Sequence, residues 1–347
     1  MRRRWANLAA GVIVAIGIAI PAAGQPAKPA TKVTVVMAGD GFQYITQHIA
    51  TGAGLFAQEG LDVQTIDAGS GPRQVAALMG GSAAFGGFGL VQAIKANAEG
   101  AELVAFSSLF NVYDQQLVLS NDAMKRTGIK PDMPIDEKVK RLRGLRIAIT
   151  SPGSTTDLIV RSLLLERGMN PDEALKILPM GGGTNMLAAL EKGATDAFLW
   201  AAPQAQMAVH RGIGQIAINP FTGEIKEFQG VHYMTMVTSR ETLKKQPEVI
   251  RAAARALARA MKLARDRPDE ARRLIRQHFP DVDEAVFDAA WKDYRKAIPA
   301  TPLITRDQYQ RTQAWLNITA KQPVSVPYET VIDEADAKRA EADVLGK

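Results

Sequence analysis

The sequence predicts an α/β protein built from two lobes, each a mostly parallel sheet covered by helices. Three observations lead there. Strands and helices alternate with tight, glycine-containing connections, which is the pattern of a sheet covered on both faces. The alternation restarts near Leu145. Two extended stretches flank the restarted part, as they must if one lobe is inserted into another.

"KVTVVMA" (32–38) is a short apolar strand, and "FQYITQHIATGAGLFAQEG" continues as one helix ending at Gly60. "LDVQTIDA" is the next strand and "GPRQVAALMGG" the next helix, with Pro72 in the favoured first turn. "AAFGGFG" follows as strand, "LVQAIKANAEG" as helix and "AELVAFSSL" as strand. In the second lobe "LRIAIT" (145–150) is a strand, "STTDLIVRSLLLERG" a helix and "ALKILPM" a strand. "TNMLAALEKG" then forms a helix and "DAFLWA" a strand. "YDQQLVLSND" (113–122) and "GVHYMTMVTSR" (230–240) are the extended crossings and the expected hinges. Lobe 1 is thus expected at 32–115 and 232–347, and lobe 2 at 116–231. The remainder is helical, and Arg251, Arg255 and Arg259 recur every fourth residue as a stripe read as a solvated face.

The chain of 347 residues, 46% hydrophobic, is long enough for two ordinary cores. Its first 24 residues differ. Arg2, Arg3 and Arg4 precede an uncharged stretch from Leu8 to Ile20, followed by "PAAG". That is a secretory leader, with cleavage expected near Gly24 or Ala27; the segment is short for a spanning anchor. Residues 25–31 then form a tether. There are no cysteines, which excludes disulfides, thiol catalysis, cysteine-ligated metals and a lipidated cysteine. A soluble periplasmic monomer is expected. The formal charge of +6 includes the three leader arginines, leaving about +3 spread among acids. No nucleic-acid partner is indicated.

Four turns at the carboxyl ends of predicted strands carry polar small residues, the place where open α/β sheets bind ligands. "SPGSTTD" follows "LRIAI": Ser154 caps a helix with Asp157 three positions on, while Gly153, Ser151, Thr155 and Thr156 leave backbone and hydroxyl groups for a polar or anionic group. "GSGPRQ" places Ser70 and Gly71 before Pro72, "GDGFQY" spans 39–44 and "GGGTN" spans 181–185. Each glycine also has a purely geometric use in a tight turn. "GDG" opens like a dinucleotide fingerprint, but Tyr44 stands where the third glycine belongs, and "GGGTN" lacks the P-loop lysine. His48, His210, His232 and His278 have no local metal-ligand spacing, and no G-x-S-x-G elbow occurs. Neither a cofactor, a metal site nor a catalytic set is indicated. His232, beside Tyr233 in a crossing near the cleft, is either a satisfied structural histidine or a cleft residue.

"GAGLFAQEGLDVQ", "GSGPRQVAALMGGSAAFGGFG" and the run from "LRGLRIAITSPGSTTD" to "KGATDAFLW" together resemble periplasmic solute-binding proteins of ABC importers. The branch is the nitrate, sulfonate and taurine type, which includes thiamine-precursor binders. The resemblance runs from about Lys32 to about Arg240. It implies the type II periplasmic binding protein-like fold, closing on a small organic solute and delivering it to an inner-membrane permease. It implies solute contacts from Gly39–Tyr44 (Asp40, Gly41, Phe42, Tyr44), Ser70–Pro72, Gly87–Gly89 with Phe88, Ser151–Thr156 and the glycine turn at Gly182. Trp200 with Ala201–Pro203 is implied to face the cleft, and Phe42 and Tyr44 to serve the opposite wall. The chain is shorter than nitrate and bicarbonate receptors of the branch, which disfavours those solutes.

Ligand charge stays open. Arg73 is the nearest counter-ion for a sulfonate or carboxylate, whereas Asp40 favours an amine. The rival functions are an enzyme on the same scaffold and a periplasmic sensor input. Pyrimidine-precursor synthases and porphobilinogen deaminase both require cysteine, which is missing here. Neighbouring permease and ATPase genes would separate importer from sensor.

Overall fold

The computed structural model describes residues 29–346. The expected leader, and residues 25–28 of the tether, lie outside the described residues. Among the described residues ten strands fall into two five-stranded sheets. The first sheet takes β1 (Thr31–Met37), β2 (Leu61–Asp67), β3 (Phe85–Gly89) and β4 (Leu103–Phe110). The second takes β5 (Gln116–Ser120), β6 (Arg146–Ile149), β7 (Lys176–Pro179), β8 (Ala197–Trp200) and β9 (Gly214–Ile218). β10 (Met234–Ser239) returns to the first.

The strand orders are β2-β1-β3-β10-β4 and β7-β6-β8-β5-β9, so the two sheets have one topology. In each, three parallel strands come from successive strand–helix units. The fourth position is filled by the strand nearest a crossing, antiparallel to both its neighbours. The stretches 113–122 and 230–240 are therefore largely sheet strands. The chain passes between the sheets just before β5 and again between β9 and β10. β3 and β4 are buried along their whole length, which fits their near-continuous small and apolar sequences.

Two local expectations change. The helix expected from 42 to 60 is broken into a 3-10 turn Phe42–Tyr44 and helices Ile45–Gly52 and Leu55–Gln58. Gly54, at φ 63°, takes the left-handed conformation that stops the first helix and starts the second. The arginine stripe is also less free than expected. Helix Pro247–Asp266 buries an alanine face, and Arg255 and Arg259 both bond Glu59, at 2.8 and 3.1 Å. Neighbouring like charges are tolerated there because they share one carboxylate.

The C-terminal helices cover the first sheet, and one of them reaches across. Helix Arg306–Thr319 lies on helix Thr155–Leu165, where Trp315 Nε1 donates to Ser162 Oγ at 3.2 Å. Among the described residues no helix is long and apolar enough to cross a membrane.

The centre of the first sheet leaves no room at Gly86. A methyl group there would approach Val36 Cγ1 to 2.5 Å and Val36 O to 2.6 Å on β1. Gly86→Ala is expected to cost about 1–3 kcal/mol through this overpacking, read as a lower urea midpoint at unchanged slope.

Candidate functional site

The turns at the strand ends of both lobes converge on one gap of about 380 Å³, partly open to solvent. From the first lobe come Ala38, Gln43, Tyr44, Gly71, Gln74, Phe88, Gly89 and Gln92; the second lobe gives Thr150, Ser154, Thr155, Thr156 and Trp200. Gln115, Tyr233 and Met234, around the two crossings, close the floor. Among the described residues no charged side chain lines it. A wider opening of about 850 Å³ adjoins through Thr150 and carries Asp67, Ser70, Arg73, Ser151, Gly182 and Asn185. Charge is therefore confined to the mouth.

The first-lobe wall is set by backbone anchoring. Tyr44 lies flat on β3 because Gly87 has no side chain; a Cβ there would sit 2.9 Å from the ring. Its hydroxyl accepts from Ala38 N at 3.1 Å, and burial pushes its pKa upward, so it stays a neutral phenol. Gln74 donates to Val36 O at 3.2 Å and Gly87 O at 2.7 Å, filling the gap where β1 and β3 diverge. Asp67 Oδ1 accepts from Gly39 N at 2.6 Å and Gly69 N at 2.7 Å, tying two of the turns together.

The second-lobe wall is a hydroxyl cluster. Thr150 N and Oγ1 both lie 3.0 Å from Thr156 Oγ1, which also lies 3.0 Å from Ser154 Oγ. Ser154 caps helix Thr155–Leu165, and its hydroxyl is used up within the turn. Asp157, instead of completing a capping box to Ser154 N, accepts from Gly153 N at 2.7 Å and pairs with Arg161. Thr155 is the partly exposed hydroxyl of the group and faces Gly89 across the gap.

The lobes touch in several places. Phe42 N donates to Ala202 O at 3.0 Å and Gln92 Nε2 to Gly153 O at 3.2 Å. The Trp200 indole packs on the second-lobe backbone at Gly183, where a Cβ would sit 2.2 Å away, and its far edge meets Gly39 of the first lobe. Only 4% exposed, Trp200 belongs to the second-lobe core and lines the gap at once. Buried Trp200 Nε1 and Gln115 Oε1 have no hydrogen-bond partner among the described residues. Buried polar atoms of this kind normally have one.

Of the expected site residues, Tyr44, Gly71, Phe88, Ser154, Thr155, Thr156 and Trp200 line the gap, and Ser70, Arg73, Ser151 and Gly182 line its mouth. Six others are placed differently. Phe42 is fully buried in the first lobe, stacked on Phe279 at 5.0 Å and edge-on to Tyr294, because its ring is apolar and a dry aromatic cluster lies behind it. His232, in the extended stretch just before β10, is fully buried away from the gap lining, with Nε2 3.1 Å from Met234 O and burial pushing its pKa down to about 4. Gly41 and Gly87 act through backbone spacing. The Gly153 carbonyl is taken by Gln92.

Asp40 is the sixth. Its carboxylate turns from the gap towards His48 Nε2 at 3.1 Å and His278 Nε2 at 3.0 Å. Burial pushes its pKa up, but hydrogen bonds from the two histidines outweigh this and hold the carboxyl well below its usual range. His48 itself is lowered by burial, against the pull of Asp40.

Sequence reasoning missed Gln74, Gln92, Gln115 and Thr150. Gln92 did leave a signal, as a lone amide within "LVQAI" on a buried helix face.

A match to the NMT1-like family covers residues 25–277. The chain belongs to the NMT1-like family. Over 98% of its length it is 21% identical to the protein YtlA of Bacillus subtilis (strain 168), covering 99% of that protein. A solved protein of Bordetella bronchiseptica RB50 superposes with a TM-score of 0.79 at 23% identity, over 90% of this chain and 97% of that one. The alkanesulfonate-binding protein SsuA of Xanthomonas axonopodis pv. citri, solved bound to MOPS, gives 0.68 at 18% identity, over 88% and 100%. The fold of this NMT1-like chain is thus the two-lobed periplasmic binding protein fold.

Asp114, in the first crossing, is fully buried beside the floor of the gap. Its Oδ1 accepts from Gln115 Nε2 at 2.9 Å, and Oδ2 has no partner among the described residues. Burial raises its pKa well above the ordinary value, which favours the protonated form in the folded protein. The associated stability is complete below the unfolded-chain value of about 3.9 and is lost as pH rises towards the folded value. Asp114→Asn is expected to be more stable than wild type at neutral pH, with the difference shrinking as pH falls to about 4. Urea titrations at several pH values measure it.

Proposed function

We propose that the protein is an extracytoplasmic receptor that closes on a small organic solute and delivers it to the permease of an ABC importer. The observation that supports this best is the polar gap to which both lobes contribute, lined among the described residues by amide, hydroxyl and aromatic side chains without charge. A solute bridging the two walls favours the closed arrangement by the contacts it gains only there. The crossings just before β5 and between β9 and β10 serve as hinges.

The lining narrows the solute. With no carboxylate on the gap among the described residues and Asp40 engaged by two histidines, an amine has no anionic partner inside. The enclosed part of the solute is uncharged or spreads its charge over hydrogen bonds, and it offers a flat face to Tyr44 or Phe88. A sulfonate or carboxylate end would lie at the mouth, within reach of Arg73 and the N-termini of helices Gly71–Met79 and Gly183–Glu191. Sulfonates belong in the screen because the related SsuA was solved with MOPS.

A thermal-shift panel of sulfonates, aromatic carboxylates, amines and pyrimidines tests the reading. A true solute at about 100 times its Kd adds about 2.7 kcal/mol of stability. A panel without any shift at millimolar concentration would count against a receptor for these classes. With the solute in hand, Thr155→Ala is expected to weaken binding about fivefold, the loss of one hydrogen bond of about 1 kcal/mol. Ser154→Ala, whose hydroxyl serves the turn, is expected to lower Tm as well. Isothermal titration separates the two.

A further inference from the structure

We propose that Asp40, His48 and His278 form a binding site for a divalent transition-metal ion of zinc type, in the first lobe and outside the solute gap. The proposal is independent of the receptor reading, since it rests on this cluster alone.

Three separate elements build the cluster. Asp40 lies in the turn after β1, His48 in helix Ile45–Gly52, and His278 is the last residue of helix Pro268–His278, 238 positions from Asp40. One donor atom from each lies within 4.8 Å of the other two. The carboxylate oxygens are 3.1 Å from His48 Nε2 and 3.0 Å from His278 Nε2, and the Gly41 carbonyl is 3.2 Å from His48 Nε2. Donors about 2.0–2.1 Å from a tetrahedral ion stand roughly 3.3 Å apart, close to these spacings.

The chemistry selects the ion. Two imidazoles and one carboxylate suit zinc, cobalt or nickel and not magnesium or calcium, which take oxygen ligands. The two rings are stacked, with centroids 3.7 Å apart and planes 26° from parallel, and both ε nitrogens are turned to the same carboxylate. His48 is almost wholly buried, while the His278 side chain is 35% exposed. His278 can thus swing about its side-chain bonds to bring its lone pair onto the ion, and its open side is the entry path. The Phe279 ring stands edge-on to both histidines, at 5.6 and 4.8 Å, and shields the inner side.

The position gives the site a mechanical consequence. Gly39, next to Asp40, backs onto Trp200, and Phe42 N bonds Ala202 O of the second lobe. An ion held by Asp40 stiffens the turn through which the lobes touch at this end of the cleft.

The test uses untagged full-length mature protein, stripped with chelator and titrated calorimetrically with zinc chloride, without solute. One zinc per chain is expected, together with a raised Tm. Cobalt(II) should give a visible d–d band that zinc abolishes. His278→Ala and Asp40→Asn are expected to weaken zinc binding at least about 100-fold, more than the loss of an outer-shell partner, and His210→Ala to leave it unchanged. The cobalt band of the wild-type protein stands even if a variant folds poorly. No stoichiometric binding by wild-type protein, or binding that survives both substitutions, overturns the site.

Discussion

How closely the two lobes can approach depends on one indole lying between two glycines. Trp200 presses on Gly183 of its own lobe at a distance no β-carbon would permit, and its outer edge meets Gly39 of the opposite lobe. An aromatic of this size at the end of β8 would otherwise hold the walls apart. With glycine on both sides it becomes a shared wall, and the hydroxyl turn at Ser151–Thr156 is carried to within reach of Gly89 and Gln92. Single hydrogen bonds such as Phe42 N to Ala202 O, and the packing of helix Arg306–Thr319 on helix Thr155–Leu165, join the lobes as well.

Within the gap, polarity is supplied almost entirely without charge. Amides from Gln74, Gln92 and Gln115 and hydroxyls from Tyr44, Thr150 and Thr156 satisfy strand ends and one another. Such groups cost far less to bury than ions and can present either a donor or an acceptor. The charged groups nearby have been drawn off: Asp67 holds two backbone amides, Asp157 pairs with Arg161, and Asp40 is engaged by two histidines. Arg73 is the cation at the mouth among the described residues. For the proposed receptor, such a lining leaves selectivity inside to hydrogen-bond pattern and shape.

Much of the molecule was legible in the chain. Apolar runs of strand length, glycine-ended amphipathic helices and the restart at Leu145 encode two repeats of one topology, because strand and helix periods are local properties. Small polar turns after strands are also local, so the position of Ser70, Gly71, Thr155 and Thr156 at the gap or its mouth was legible. The faces of residues inside elements were harder. Phe42 and His232 sit beside true lining residues, Gln43 and Tyr233, yet point away, since adjacent positions on a turn or strand face different sides.

The sequence by itself determined the order of elements, their turns and the uncharged, hydroxyl-rich character of the loops, all carried by neighbours within a few positions. Only the tertiary structure decided which side chains meet. It brought Gln92 to Gly153, Trp200 to Gly39, and His278 to Asp40 and His48, pairs separated by whole elements. Such meetings depend on how two sheets and their covering helices pack, and no local period or spacing records that.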